Sequence, residues 1–386
     1  MLTLSQPLAG AEAKLSGSLT TIHGVKVLTL TGSPHDNGYA RGFLMAQEIR
    51  ENLEVIDALL PPNVDFNLAQ KAVIPRLVRT DSEKQEIDGL IEGMRAKLGD
   101  KGITLKRIGR PLSSDDIWFI LAFPDMHCSA FAAWGTLTSD GGLVVGRNLD
   151  YQGKDYVGSG ACIVVHKSSS PKQQSWIDFT LSPLPGASTG ICQDGRFAAI
   201  LDSKATGPSK PQANLRIFAL RDFVEKPLDG TAFAGQAEKF FKGIPILRGT
   251  NFFLCSPKAE ACIVEYDGNL KKDSGVTMRM PPAGQNWIAV TNHFRERSPA
   301  EGCGRYAKLE KALQELSSSG KKISTLDDAW KIISLPAQGN TLLTIVYNQS
   351  KRTLAVSFTD GKKNAADLKP TQFTLDELFG TAPSKP

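Results

Sequence analysis

The residues able to do chemistry gather in one stretch, 125–151, DMHCSAFAAWGTLTSDGGLVVGRNLDY. Cys128 supplies a sulfur nucleophile where a helical-looking segment gives way to a β-prone run. Asp140-Gly141-Gly142 then supplies a hairpin turn, and the returning run ends in Arg147-Asn148-Leu149-Asp150. A cation beside a thiol favours the thiolate, and a carboxylate can hold an ammonium. With Asp140-Gly141 at the tip, facing residues have numbers summing to about 281. Arg147 then faces Trp134, Asp150 faces Phe131, and Cys128 faces Gly153. Asp150 stops short of Cys128 by about three residues, roughly 10 Å at ~3.3 Å per residue. Because residues three apart point to opposite faces of a strand, both charges serve Cys128 only if a bulge intervenes. The competing reading makes Cys128 a small buried hydrophobe and the charges a structural ion pair.

These groups need elements to hold them. Residues 20–31 alternate as a strand does. Ser33-Pro34-His35-Asp36 reads as a capped helix start, followed by Tyr39, Phe43, Ala46, Ile49, Leu53 and Ile56 at helical spacing. Gly38 and Gly42 share one face of that helix and leave room for another element. A second helix is expected over 82–98, stopped by Gly99, and a third over 115–123, ended by Pro124. Strands follow at 176–181, 190–192 and 196–202, then helices at 216–223 and 231–241. Strands at 251–255, 261–266 and 287–292, helices at 305–316 and 325–333, and a hairpin of 342–347 with 354–358 complete the chain. That order suits two sheets with helices outside them better than a parallel βαβ array.

Composition narrows the function classes. The 386 residues are 41% hydrophobic and 22% charged, as in a soluble globule with a sizeable core. Net charge is +5, and Lys and Arg are scattered rather than interleaved with aromatics, which argues against nucleic acid. No apolar stretch reaches the ~18 residues of a membrane span. Ala11-Glu12-Ala13 resembles the end of a trimmed secretory leader, which leaves the compartment open between cytoplasm and matured export. None of the six cysteines forms a CxxC pair, so no zinc site or other metal is expected. Cys255 and Cys262 bracket a turn, as a disulfide or as two core thiols. Oligomeric state is left open. His293 offers a base for a Cys-His arrangement, while His23, His35 and His166 stand in strand-like or cap-like contexts.

HCSAFAAWGTLTSDGGLVVGRNLDY resembles the nucleophile region of cysteine N-terminal-nucleophile (Ntn) hydrolases of the isopenicillin N acyltransferase-like branch. Relatives of that branch include choloylglycine hydrolases, penicillin V acylases and acid ceramidase-type amidases. Gly32–Asn52, GSPHDNGYARGFLMAQEIREN, is similar to the leader helix of the family, and TNHF at 291–294, GRYAKL at 304–309 and the last hairpin fit it too. The resemblance implies an α+β fold, a four-layer αββα sandwich with a helical N-terminal leader. Residues 1–32 would form an N-terminal strand or extension, 33–127 the leader, and 128–386 the catalytic core.

The resemblance further implies self-cleavage between His127 and Cys128, with Cys128 as nucleophile and its freed α-amine as base. Arg147 would favour the thiolate, Asp150 would hold the ammonium, Asn292 would bind the oxyanion, and Arg305 would stand nearby. The partner would be a small-molecule acyl amide, peptide- or β-lactam-like, hydrolysed or transferred without a cofactor. Two departures are visible. His127 is bulky where many relatives have Gly, and Cys192 stands where an oxyanion Asn is expected. Losing one such donor costs ~10²–10³ in rate. The alternatives are therefore an uncleaved Cys-His hydrolase using His293, or a weak family member acting as a binding protein.

Overall fold

The computed structural model describes residues 15–59, 65–122, 126–151, 160–168, 170–207, 211–269, 274–298 and 302–381. The leader hint at Ala11–Ala13 and the facing position Gly153 lie outside them. His23 and Gly24, at φ 50° and 84°, cut the first alternating run. The single strand expected at 20–31 is therefore a hairpin of β1 (Gly17–Ile22) and β2 (Val25–Leu30). Ser33 caps α1 (Pro34–Leu44) by accepting a hydrogen bond from Asp36 N. The long apolar stripe is divided at Met45, and α2 (Ala46–Leu59) continues it. After α3 (Phe66–Val73) comes α4 (Asp81–Gly102), opened by a Thr80–Glu83 capping box and broken at Gly99, φ 71°. α5 (Ser114–Leu121) leads towards the candidate site.

The core then runs β3 (His127–Ala133), β4 (Val144–Asp150), β5 (Cys162–His166), β6 (Trp176–Thr180), β7 (Thr189–Cys192) and β8 (Phe197–Ser203). α6 (Arg216–Glu225) and α7 (Phe233–Lys242) precede β9 (Gly249–Cys255), β10 (Ala261–Tyr266), β11 (Val276–Arg279) and β12 (Trp287–Val290). α8 (Gly304–Ser319) and α9 (Leu326–Ser334) precede β13 (Thr341–Asn348), β14 (Thr353–Phe358), β15 (Thr371–Thr374) and α10 (Leu375–Phe379).

The strands form two sheets, ordered β1-β2-β5-β6-β7-β8-β9-β10-β11 and β12-β3-β4-β13-β14-β15. Among the named strands of the described residues, only β2 and β5 pair in parallel. Period-2 alternation sorts the side chains into layers. Cys128, Ala130, Ala132 and Val145 of one sheet meet Ile163, Val165 and Ile177 of the other. Their neighbours Cys162 and Val164 face the opposite way, towards Leu90, Met94 and Trp118 of the N-terminal helices. Phe131, Ala133 and Val144 pack outward on Leu309 and Leu313 of α8 and Ala329 and Ile333 of α9. The fold is a four-layer αββα sandwich of α+β class.

The glycines noted on α1 have reciprocal partners on α4. A Cβ at Gly38 would lie 1.9 Å from Glu86 O, at Gly42 2.1 Å from Leu90 O, and at Gly89 and Gly93 2.2 Å from His35 O and Tyr39 O. The two backbones are therefore in direct contact, so Gly42→Leu should cost about 1–3 kcal/mol or more by overpacking. An unchanged urea midpoint for that variant would show that the helices can separate freely.

Candidate active site

The β3–β4 register decides which groups meet. Cys128 pairs with Leu149, Ala130 with Arg147 and His127 with Asp150, so the pairs sum to 277 rather than 281. The expected register is corrected because Asp140-Gly141 is not the centre of the connection. Residues 134–143 form a wide loop containing a 3₁₀ turn at Gly135–Leu137. Pairing is regular from His127 to Ala133, without the expected bulge.

Directly opposed residues share a face, so Arg147 points with Ala130 and Cys128 into the space between the sheets. Its Nη2 lies 3.6 Å from Cys128 Sγ and donates to Ile200 O at 3.3 Å, tying one sheet to the other. Arg147 is fully buried, and its Nε and Nη1 have no hydrogen-bond partner among the described residues. Burial pushes the Cys128 thiol up to about 12, with Arg147 opposing that rise and Asp150 reinforcing it. Burial likewise lowers the Arg147 pKa, while Cys128 and Asp150 work to raise it.

Asp150 lies on the other face and reaches Cys128 through an intermediary. Its Oδ1 accepts from Thr341 Oγ1 at 2.6 Å and its Oδ2 from Arg305 Nη1 at 3.1 Å. Burial raises the Asp150 pKa, and these two partners lower it. The same Arg305 nitrogen donates to Cys128 O at 2.8 Å, and Nη2 donates to Asn292 Oδ1 at 2.9 Å. Asn292 is delivered by β12, whose Val290 pairs with Ala130. Two residues further along the same register lies Cys128. Its backbone N donates to Asn292 Oδ1 at 2.7 Å. Asn292 Nδ2 donates to Met126 O at 2.9 Å and Asp202 O at 2.6 Å. Met126 O in turn lies 3.9 Å from Cys128 Sγ.

Asp202 is the site residue that sequence reasoning missed. Its Oδ2 accepts from Met126 N at 2.6 Å and from Arg216 Nη2 at 2.8 Å. The signal was present, since an acid ends the apolar run of β8 as Arg147 and Asp150 end that of β4. Of two other expected positions, Cys192 lies elsewhere and His293 lies at the cleft. Cys192 faces α6, its Sγ donating to Val224 O at 3.4 Å, because Gly190 and Cys192 point to the helical side of the sheet while Ile191 points inward. It contributes nothing to the thiol's surroundings. His293 lines the cleft at the site, but the hydrogen bonds of the Cys128 side chain go to Met126 O and Arg147. Cys255 and Cys262 are both free thiols. Cys255 pairs with Ala261 and Cys262 with Leu254, so their side chains leave opposite faces of the sheet.

Two spaces flank the thiol. A cleft of about 770 Å³ runs past His127, Asn292 and Arg305, with Arg76, Lys204 and Arg248 on its walls. A smaller cavity of about 150 Å³ is lined by Met126 and by Leu149, the partner of Cys128. Among the described residues no cluster of His, Cys, Asp and Glu could hold a metal ion, and no helix is long and apolar enough to cross a membrane.

No protein-family model matches the sequence, and no curated protein matches it. Among solved structures, the chain is similar to a Caenorhabditis elegans ortholog of N-acylethanolamine-hydrolyzing acid amidase at 17% identity and a TM-score of 0.43. That match covers 64% of this chain and 100% of the other. Penicillin V acylase from Agrobacterium tumefaciens is similar at 12% identity and a TM-score of 0.45, covering 64% and 85% of the two chains. A mutant conjugated bile acid hydrolase from Clostridium perfringens matches at 12% and 0.45, covering 66% and 95%. At these identities and scores the likeness says nothing of chemistry, which has to come from the residues themselves.

Cys303, just before α8, makes a useful contrast to the buried thiol. Burial raises its pKa, but the Thr291 hydroxyl, the Tyr306 and Arg305 amides and the Arg305 charge together lower it below 9.0. Iodoacetamide at pH 8 should therefore label Cys303 well before Cys128 in the uncleaved chain, as read by peptide mass spectrometry. Faster labelling of Cys128 would mean that its sulfur is far more open than its burial implies.

Proposed function

We propose that the chain is an autoprocessed amidohydrolase or acyltransferase that cleaves a linear N-acyl amide through a thioester on Cys128. The observation that carries this reading is the aim of the polar network. Asn292 and Arg305 grip the main-chain nitrogen and carbonyl of Cys128, at 2.7 and 2.8 Å, instead of presenting an imidazole to its sulfur. Any buried main-chain N–H needs an acceptor, but a side-chain oxygen already shared with Arg305 is one that would also hold a freed α-amine in place.

In the continuous chain that nitrogen is an amide and cannot act as a base. Cleavage changes its chemistry. Cys128 Sγ attacks the His127 carbonyl carbon, the C–N bond breaks as the nitrogen takes the thiol proton, and the acyl group moves to sulfur. Water then hydrolyses this thioester, leaving a carboxylate on His127 and a free amine and thiol on Cys128. An α-amine has an ordinary pKa of about 7.7–8.0 and a Cys thiol about 8.5, so proton transfer between them is nearly balanced at neutral pH. Arg147 supports the resulting thiolate, and Asp150, one guanidinium away, offsets the ammonium.

Departure of Met126 also releases Asn292 Nδ2. That group now donates to Met126 O, itself close to the sulfur, and the same place would receive the oxygen of a tetrahedral intermediate. The thiolate attacks the substrate carbonyl, the amine returns its proton to the leaving nitrogen, and water or a second amine takes the acyl group from sulfur. Among the described residues the cleft bears Arg76, Lys204, Arg248 and Arg305, the last paired with Asp150, against one carboxylate, Asp202, paired with Arg216. It suits an amine half that carries a carboxylate, as peptide- and β-lactam-like amides do.

Intact-mass measurement tests the reading. The purified chain should split before Cys128, and Cys128→Ala should stay whole and inactive. His293→Ala should keep its activity, and Asn292→Ala in the cleaved enzyme should lose ~10²–10³ in kcat. A permanently whole chain that hydrolyses amides at full rate would sink the proposal in favour of a Cys-His mechanism.

A further inference from the structure

The smaller cavity has two ends of different character. One end lies against the thiol, because Leu149 is the cross-strand partner of Cys128 and Met126, two residues before Cys128, has its carbonyl 3.9 Å from the sulfur. The walls between are mostly aliphatic. The other end holds Asp178 on β6, which is 2% exposed. Its hydrogen bonds among the described residues come from main chain alone, from Ser188 N at 3.4 Å and from the Thr189 amide. Arg41 and Arg147 act on it through charge at longer range. Ser182, on the loop after β6, lines the same cavity, and its buried Oγ has no hydrogen-bond partner among the described residues.

A carboxylate and an unpaired hydroxyl are costly in aliphatic surroundings unless something polar meets them. Neither group takes part in the chemistry assigned to Cys128. Burial pushes the Asp178 pKa up to about 7, against the pull of Arg41 and the two amides, so near neutrality the carboxyl can accept a hydrogen bond or donate one.

We propose that this cavity receives the acyl half of the substrate, and that Asp178 and Ser182 select acyl chains bearing a hydroxyl beyond the carbonyl. The proposal rests on the thioester reading. The chain before the cleavage point supplies its rationale. His127 is the first acyl group that Cys128 would carry, and the side chain attached one residue behind it, Met126, already lines the cavity. A hydroxyl fits better than an ammonium, because Arg41 and Arg147 already place two positive charges near Asp178. A carboxylate tip would meet a like charge.

The test is a series of p-nitroanilides with plain and ω-hydroxylated acyl chains of three to eight carbons. At one chain length the hydroxyl should raise kcat/KM about 10-fold or more, which is ~1.4 kcal/mol. Asp178→Leu should erase that preference and Ser182→Ala should reduce it, while p-nitroacetanilide turnover stays unchanged in both. No hydroxyl preference at any length in the wild type, or a preference that survives Asp178→Leu, overturns the proposal. Calorimetric binding of the matching methyl ketones, which have no amide to cleave, to the wild-type protein separates this inference from the reading beneath it. A hydroxyl preference in binding without wild-type turnover keeps the polar subsite and removes the amidase, while turnover without preference does the reverse.

Discussion

Few groups cost more to bury than a guanidinium, and Arg147 is wholly buried between two sheets. A typical buried arginine is surrounded by carboxylates, as Arg221 is by Glu83 and Glu86 among the outer helices. Arg147 instead has a carbonyl at 3.3 Å, a sulfur at 3.6 Å, and two nitrogens with no partner among the described residues. Its carboxylate neighbours Asp150, Asp178 and Asp202 act on it only through charge at a distance. The sandwich must hold this charge in place by packing, since Arg147 stands opposite Ala130 and is wholly shut off from solvent. A neutral thiol is a poor partner for such a charge, whereas a thiolate or an oxyanion is a good one. The unmet need of Arg147 therefore favours whichever step places negative charge beside Cys128.

The rest of the site follows from sharing donors. Asn292 serves four groups and Arg305 three, and the two meet each other at the main chain around Cys128. Such a network is stiff, because moving any member strips a buried partner from another. It is also incomplete at the sulfur, where among the described residues the hydrogen bonds of Sγ go to Met126 O and Arg147 and to no base. A hydrolase relying on a histidine would concentrate its hydrogen bonds on the side chain of the nucleophile. Here they concentrate on the backbone on either side of it.

Much of this was legible in the residues, and the misses have physical causes. Ser33, Gly38, Gly42 and the alternating strands were readable because capping, close approach and pleating are local rules. Period-2 alternation correctly put Arg147 and Asp150 on opposite faces. The register was misjudged because an Asp-Gly dipeptide turns the chain equally well inside a wide loop, and loop width depends on tertiary packing against Asn286 and Ile323. Asn292 and Arg305 lie more than 160 residues beyond Cys128, so only a resemblance connected them to it before β12 supplied the register. Cys192 was misjudged because a one-residue difference along β7 exchanges the sheet's interior for its helical face. Asp202 was overlooked because a single acid at a strand end looks like solubility until its partners are seen.

The state described has a consequence for the order of events. Met126 O lies 3.9 Å from the sulfur and occupies the Asn292 amide, and Met126 N is held by Asp202. The same three contacts would have to break before any outside amide could reach Cys128. A small rearrangement would free them one at a time and leave buried polar groups unmet at each stage, whereas scission of one peptide bond lets the whole segment withdraw. On the proposed reading the chain thus keeps its sulfur protonated and shielded until cleavage, and the same bond that blocks the cleft withholds the base. Access and basicity then appear in a single step, which makes activity before cleavage implausible on two independent physical grounds.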